Sequence, residues 1–550
     1  MTTELDVAFP VLGPGDMAAL RARGQRRPMH AGETLFAEGD RNRSFFVVVD
    51  GAVEIVEHSR GTPRQVTVHG PGQFTGDIDV LSGRAVLVTG RAVQDGNLLE
   101  LSPPDLRRAV EELPDLGDTI IKAFIQRREL IRADGFEGVK IIGSRFSPDA
   151  HRLRDFAQRN AIPYRFMDLE TDPEAEVLLR EMAVPPAETP IVVGLQGKFH
   201  RNPSNEQFAN CAGLTGELEP GHVYDLVVVG AGPAGLAASV YAASEGLDVL
   251  TLDAMGAGGQ AGASSRIENY LGFPTGISGE ELTQNAMVQA QRFGAQITVG
   301  SPVASLGLDG GDRHVTLENG TRLQTRCVLV ASGVEYRKLA VLRFEEFAGA
   351  GIYYAATPME AKLCGGEEVV VVGAGNSAGQ AIVFLAKTAA RVHHLVRGSD
   401  LGASMSRYLA DRVEALQNVQ TYLRTRVTGL DGNGHLGAVK ALSADRGELT
   451  FETTSLFLFI GADANTDWLR DCVELDQKGF VLTGASLVAA VAESDRWRAA
   501  GRSPFLLETS LPGVFAAGDV RSGSVKRVAS AVGEGAMAVT FVHTHIGKVV

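Results

Sequence analysis

The chain has 550 residues, 44% hydrophobic and 21% charged, which is too long for one core at about 150 residues per domain and too apolar for disorder. Its 66 Asp and Glu against 52 Lys and Arg leave a net charge of −14, a field that draws neither nucleic acid nor an anionic membrane surface. The four cysteines, Cys211, Cys327, Cys364 and Cys472, lie too far apart for a disulfide framework, zinc-ligand spacing or a C-x-x-C redox pair. The 64 glycines exceed the roughly 7% average and predict tight turns and close backbone approaches to ligands. The start, Met1-Thr2-Thr3-Glu4, lacks the regions of a signal peptide, so a cytoplasmic protein is expected. Leu226 to Ser244 and Val369 to Ala386 are uncharged and long enough to span a bilayer. Each carries a glycine cluster after a Val run, which reads as strand, turn and helix instead.

Residues 1–133 read first. Short strands are expected at Thr34 to Phe36, Phe45 to Val49, Val53 to Val56 and Leu98 to Leu101, and one helix from Pro104 to about Arg132. The frame E-G-D at Glu38 to Asp40 with F-F-V-V-V-D-G-A-V-E-I at Phe45 to Ile55 resembles the cyclic-nucleotide-binding domain, a β-roll followed by helices. In that family a Gly and an acid lead the phosphate cassette, and a downstream Arg holds the cyclic phosphate. The resemblance therefore implies an effector site at Gly76, Asp77 and Arg84, for a cyclic nucleotide or another effector. Asp77 stands where the family has Glu, and Arg84 arrives about two residues early, which shortens the acid's reach and moves the guanidinium.

Residues 138–215 read as strand, helix and strand, then two strands: Val139 to Gly143, a helix near Asp149 to Asn160, Tyr164 to Leu169, and Ile191 to Gly194 after Pro190. The order resembles a thioredoxin or glutaredoxin fold, in which a cis-proline precedes the third strand. The family's C-x-x-C falls on Ser147-Pro148-Asp149-Ala150. With neither thiol of that pair this module runs no dithiol exchange and is expected to serve as an adaptor or docking surface.

From Tyr224 a Val-rich strand runs into G-A-G-P-A-G, then a small-residue helix, then a strand ending at Asp253. Gly230 permits the turn, and Gly232 with Pro233 and Ala234 lets a pyrophosphate approach the helix N-terminus. Gly235 lets helix pack on strand, and Asp253 is placed to take a ribose hydroxyl. A second copy, V-G-A-G-N-S-A-G, puts Gly373, Gly375, Asn376, Ser377 and Ala378 in the same roles. Two such motifs imply two dinucleotides. After its second strand Arg397 stands where NAD sites place a carboxylate, which favours NADPH over NADH.

Further along come G-G-Q at Gly258 to Gln260, E-N-Y-L-G-F-P at Glu268 to Pro274, A-S-G at Ala331 to Gly333, F-I-G-A at Phe459 to Ala462, and G-V-F-A-A-G-D at Gly513 to Asp519. Together with the two glycine motifs these resemble the low-molecular-weight thioredoxin reductases, FAD flavoproteins, over Tyr224 to the end. The expected fold is α/β, with two Rossmann-like domains preceded by the β-roll and the thioredoxin-like module. FAD would be held by 222–336 with 459–550, and NADPH by an inserted 337–458. The resemblance places Gly259, Gln260, Asn269 and Gly333 near the flavin and Gly518 and Asp519 at the ribityl chain. It aims the helix starting near Val528, led by Lys526 and Arg527, at the flavin ring, where a positive helix end stabilises negative charge. It also implies a homodimer.

One departure stands out. The family's C-A-T-C follows a G-x-G-x-x-Y lead; here the lead survives at Gly349 to Tyr354, but Ala355-Ala356-Thr357-Pro358 follows. Neither sulfur is present, so the dithiol route is closed, and Cys364 beyond it is expected to be a packed helix cysteine. The expected reaction is hydride transfer from NADPH to N5 of FAD. The electrons then pass to an acceptor not reached through an internal dithiol: a quinone, oxygen, a diffusible disulfide or an electron-transfer protein. Two alternatives stand beside it, thioredoxin-disulfide reduction by an unconventional route and a flavin-based redox sensor with an effector-binding N-terminal domain.

Overall fold

The computed structural model describes residues 4–547 except 42, 59–62, 78, 134–137, 195–196, 217, 219–220, 265, 310–311, 349, 403 and 488–493. Gly349 of the G-x-G-x-x-Y lead thus lies outside the described residues.

The N-terminal part is a five-stranded antiparallel sheet of Gln25–Met29, Thr34–Phe36, Phe45–Glu57, Arg64–His69 and Thr89–Leu101. The two segments expected at 45–49 and 53–56 are one strand. Gly51, at φ 86°, lets the chain kink there while pairing continues on both sides. The expected single helix is two, Pro103–Glu112 and Pro114–Ala133. Pro114 offers no N–H and holds Leu113 out of the helical region, at φ −123° and ψ 79°, so the first helix stops there. Phe45, Phe74 and Phe124 fill the core between roll and helices.

Residues 138–215 form a four-stranded sheet in the order Tyr164–Asp168, Val139–Gly143, Ile191–Val193, Phe199–Arg201. The first pair is parallel and the rest antiparallel. The helix Pro148–Arg159 begins at Ser147, whose hydroxyl accepts from Ala150 N–H. The Thr189–Pro190 bond is cis.

A seven-stranded sheet follows. Val223–Val229 lies between Val249–Asp253 and Arg322–Val330, all parallel, with Gln296–Val299 beyond and an antiparallel pair, Asp312–Leu317 and Val303–Asp309, on the other side. Val514–Ala516 returns from far along the chain to pair with Val328–Val330. The central strand is buried on both faces: Leu226 and Val228 enter one hydrophobic cluster, Tyr224, Val227 and Val229 the other. That two-sided burial is why Leu226 to Val229 reads as an unbroken apolar run. Between Val330 and Val514 the chain builds a second parallel sheet, in the order Ile352–Tyr353, Leu456–Leu458, Glu368–Val372, Arg391–Leu395, Val419–Tyr422. The chain enters and leaves this part through one antiparallel ribbon, Val334–Tyr336 with Ala462–Ala464. The two uncharged stretches resolve into strand, turn and helix. Among the described residues no helix is long and apolar enough to cross a membrane.

Candidate functional site

The strand Val223–Val229 ends in Gly230, whose φ of 108° few side chains tolerate, and the helix Pro233–Ser244 starts directly behind it. A Cβ on Gly230 would sit 2.2 Å from the Ala331 carbonyl, and one on Gly235 only 1.8 Å from the Gly230 carbonyl. These two glycines are therefore packing requirements. Gly232 differs: its nearest neighbour to a Cβ is Gly259 Cα at 3.9 Å, so the space before it belongs to a cavity of about 630 Å³. Open room beside backbone N–H groups is what a bound pyrophosphate needs.

The cavity wall collects most of the expected dinucleotide residues: Gly230, Gly232, Pro233, Ala234, Asp253, Gly259, Gln260, Asn269, Gly333, Gly518, Asp519, Lys526, Arg527 and Val528, and from the second motif Asn376 and Ser377. Three helices begin in this wall: Pro233–Ser244 after Gly232, Asn376–Leu385 after Gly375, and Val528–Ile546 after Arg527. None has a side-chain hydrogen bond at its N-cap. The first N–H groups of a helix need partners and carry the positive end of its dipole, so three such ends converge on one space suited to phosphates and other anions.

Asp253 is held rigidly. One oxygen accepts from Ala231 N–H at 2.7 Å, the other from Met255 and Gly256 N–H at 2.8 Å each. Each carboxylate oxygen has two lone pairs, so the oxygen bound to Ala231 keeps capacity for a ribose hydroxyl. Gln260 donates to the Val334 carbonyl, which ties the G-G-Q turn to the ribbon. Lys526 donates to the Asp519 carbonyl. Burial pushes the Asp519 carboxyl up and the Lys526 ammonium down, each opposed by the other's charge.

In the second motif, Gly373 at φ 148° lies so close to Phe459 that a Cβ would meet its carbonyl at 2.4 Å. Gly373, Gly375 and Ala378 shape the turn behind the wall, while Asn376 accepts from Ser406 N–H at 2.7 Å. Arg397 is exposed and outside the cavity wall. The sulfur-free stretch enters the wall through Tyr354, Ala355 and Ala356. Tyr354 stacks on Tyr336 at 5.5 Å, and burial pushes both phenols up to about 12. Cys364 is fully buried, donates to the Glu360 carbonyl at 3.1 Å, and has its thiol pushed up to about 11 by burial. All four cysteines are free thiols.

Several wall residues carry no motif. Arg159, at the end of the helix Pro148–Arg159, reaches across to donate to the Gly259 carbonyl at 3.0 Å. Trp468 and Arg266 stand in the wall. Glu534 accepts from Gly518 N–H at 2.7 Å and pairs with Arg521. Arg159 is brought in by an element remote in sequence, so no local pattern marks it; Arg266 lies between Gln260 and Asn269, and Glu534, outside the wall itself, lies on the helix Val528–Ile546.

The β-roll holds a separate cavity of about 430 Å³, which includes Gly76 and Asp77. Arg84 is not part of it. That guanidinium is buried and points to Met287, with Nη2 at 3.6 Å from Sδ, on the helix Gly279–Arg292. Arg84 follows the short helix Asp79–Ser82 and lies in the contact with the seven-stranded part. Asp77 instead accepts from Arg43 at 3.1 Å and also faces Arg128 at 3.7 Å.

The pyridine nucleotide-disulphide oxidoreductase family model matches residues 224–535, and the cyclic nucleotide-binding domain model matches 26–112. Thioredoxin reductase from Mycoplasmopsis pulmonis is 27% identical over 59% of this chain and 98% of its own length. Thioredoxin reductase from Mycolicibacterium smegmatis is 31% identical over 58% of this chain and 94% of its own. The crystal structure of T. acidophilum thioredoxin reductase superposes with a TM-score of 0.51 at 29% identity, covering 58% of this chain and 98% of that one. With a cyclic nucleotide-binding domain ahead of it, the chain belongs to the pyridine nucleotide-disulphide oxidoreductase family and is an FAD-dependent NAD(P)H oxidoreductase.

Proposed function

We propose that the chain is an NADPH-dependent FAD oxidoreductase of thioredoxin reductase type whose electrons leave for an acceptor not reached through an internal dithiol. The observation that carries this reading is the sulfur-free Tyr354, Ala355 and Ala356 in the wall of a cavity that residues of both glycine motifs also line. The chemistry FAD supplies in such a site is two-electron exchange between NADPH and the acceptor.

The chain's own residues bind and orient. The helix ends at Gly232 and Gly375 offer N–H groups to pyrophosphates, and Asp253 takes a ribose hydroxyl. The end at Val528, with Lys526 and Arg527, favours negative charge on the bound ring system. Tyr336 and Tyr354, whose phenols burial pushes up to about 12, stay neutral at physiological pH and stack on each other in the cavity wall. Arg397 favours the 2′-phosphate of NADPH. Segments 222–336 and 459–550 hold FAD and 337–458 holds NADPH, a division supported by the single ribbon through which the chain enters and leaves the second parallel sheet. Residues 138–215, which carry Cys211 but no C-x-x-C pair, act as a thioredoxin-like adaptor or docking surface.

Stopped-flow mixing of the yellow protein with NADPH tests the reading. Fast bleaching of the flavin absorbance, then fast reoxidation by a quinone, oxygen, a low-molecular-weight disulfide or an electron-transfer protein other than thioredoxin, supports it. Fast reoxidation by oxidised thioredoxin overturns it in favour of the activity for which the relatives are named. Fast bleaching with slow return for every acceptor overturns it in favour of a redox sensor.

A further inference from the structure

The β-roll cavity presents an arrangement that the redox reading does not use. Two arginines lie in its wall almost fully buried, at 9% exposure for Arg43 and 6% for Arg127. Both grip the same short segment: Arg43 Nη2 donates to the Asp77 carboxylate at 3.1 Å, and Arg127 Nη1 donates to the Gly76 carbonyl at 2.6 Å. Arg127 Nε donates to the Ala8 carbonyl at 2.7 Å. After these bonds Nη1 of Arg43 and Nη2 of Arg127 have no hydrogen-bond partner among the described residues, and neither has Nδ1 of the adjacent His69. A buried charged donor left unpaired is costly, so two on neighbouring guanidinium groups against one cavity call for an incoming acceptor.

The charges point the same way. Asp77 pairs with Arg43 and Arg128, and Asp79 with Arg128 at 2.8 Å. Arg127 has no carboxylate within ion-pair distance among the described residues; its hydrogen bonds go to backbone carbonyls, and its guanidinium lies over the Phe9 and Phe74 rings at 5.3 and 4.7 Å. Three guanidinium groups thus stand against two carboxylates, which leaves one positive charge uncompensated by this cluster. Much of the remaining wall is apolar, including Phe36, Ile55, Val88 and Ile131. The phosphate cassette of a cyclic nucleotide site is not assembled here, since Asp77 is engaged in ion pairs and Arg84 lies against Met287 outside the cavity.

We propose that the β-roll cavity binds an amphipathic monoanion, its anionic head held by the unpaired N–H groups of Arg43 and Arg127 and its apolar body by Phe36, Ile55, Val88 and Ile131. The site is independent of what the flavin reduces.

The test is calorimetric titration of the full-length, FAD-loaded protein with octanoate and naphthoate, with their neutral amides, and with cyclic AMP. At least one anion binds at one site per chain, and its amide binds at least about tenfold more weakly. R43Q and R127K each weaken the anion by about tenfold or more, whereas R84Q changes it by less than about twofold. R127K keeps the charge but removes Nη2 together with the fork that bonds Ala8 and Gly76, and it serves where R43Q does not fold; the comparison of acid and amide on the unmutated protein needs neither. Absence of binding by both anions, equal binding of acid and amide, insensitivity to both variants, or cyclic AMP binding that R84Q abolishes overturns the proposal.

Discussion

Arg159 Nη1 donates to the carbonyl of Gly259 at 3.0 Å, a bond between a helix of the N-terminal half and the glycine turn of the dinucleotide cavity. Arg159 Nε is braced by Asp155 at 2.8 Å, so the guanidinium is held in place. It fixes the Gly258–Gln260 turn, where Gly258 N–H donates to the Ala231 carbonyl at 2.8 Å. A hydrogen bond from a charged donor contributes about 1.5–3 kcal/mol. Arg159→Met is therefore expected to raise the dissociation constant for FAD by roughly tenfold or more, with Arg159→Lys intermediate. Ultrafiltration followed by flavin fluorescence of the filtrate measures it; unchanged retention in the Met variant would show that the contact is only a surface brace.

The two motif glycines 232 and 235 separate binding from folding. Gly232 has φ −73°, open to any residue, and a Cβ there projects into the cavity. Gly232→Ala is expected to fold with an apoprotein melting temperature near that of the parent while losing most bound FAD. At Gly235 a Cβ would meet the Gly230 carbonyl at 1.8 Å, forcing strand and helix apart. Gly235→Ala should lose both flavin and the cooperative melt. Differential scanning calorimetry with the flavin-to-protein absorbance ratio distinguishes the two, and equal behaviour would contradict this division of roles.

What the sequence made legible follows from local chemistry. Val runs buried on both faces, ended by Gly230 and Gly373, announce strand, turn and helix without tertiary information, because the β-branched run and the positive φ are properties of a few adjacent residues. Asp253 was legible for the same reason. Arg159 was not, since nothing near it shows that it meets Gly259, 100 residues along the chain. Arg84 shows the opposite failure: the family resemblance assigned it to the effector site although its spacing ran about two residues short, and its guanidinium instead has Met287 on the helix Gly279–Arg292 as a neighbour. The single helix expected from Pro104 onward overlooked the stop that Pro114 imposes on Leu113.

His69 makes stability depend on pH. Burial, then the nearby Arg127 charge, push its imidazole from 6.5 down to about 3, so it is neutral in the folded state. The unfolded chain binds a proton that the folded chain refuses between those values. The stabilisation is therefore fully present above about 6.5 and lost as pH falls towards 3. Urea unfolding of the parent should weaken across this window, and His69→Gln should flatten that slope. Parallel slopes for the two proteins would mean that His69 is protonated in the fold.

Arg397 follows the strand Arg391–Leu395 and is exposed. If it holds a 2′-phosphate, charge reversal acts on that group alone, because the remaining contacts are shared by both nicotinamide dinucleotides. Arg397→Asp is expected to lower kcat/KM for NADPH by about tenfold or more, while NADH changes by less than about twofold. Equal losses with both cofactors would assign the residue to folding or to neither.

Restoring the sulfurs tests why they are dispensable. Ala355 lies in the cavity wall and Pro358 opens the helix Pro358–Leu363, so Ala355→Cys/Pro358→Cys recreates C-A-T-C beside the space assigned to the flavin. A helix N-terminus lowers thiol pKa, which favours exchange at Cys introduced in place of Pro358. The double variant should lose two titratable thiols on air oxidation and regain them with NADPH under anaerobic conditions, whereas Cys364→Ala should leave NADPH-driven acceptor reduction within about twofold of the parent because that thiol is buried and pushed up to about 11. If the new pair oxidises but NADPH never reduces it, the route out of the flavin does not pass Ala355. If Cys364→Ala abolishes turnover, a sulfur relay operates after all, and the dithiol-free reading fails.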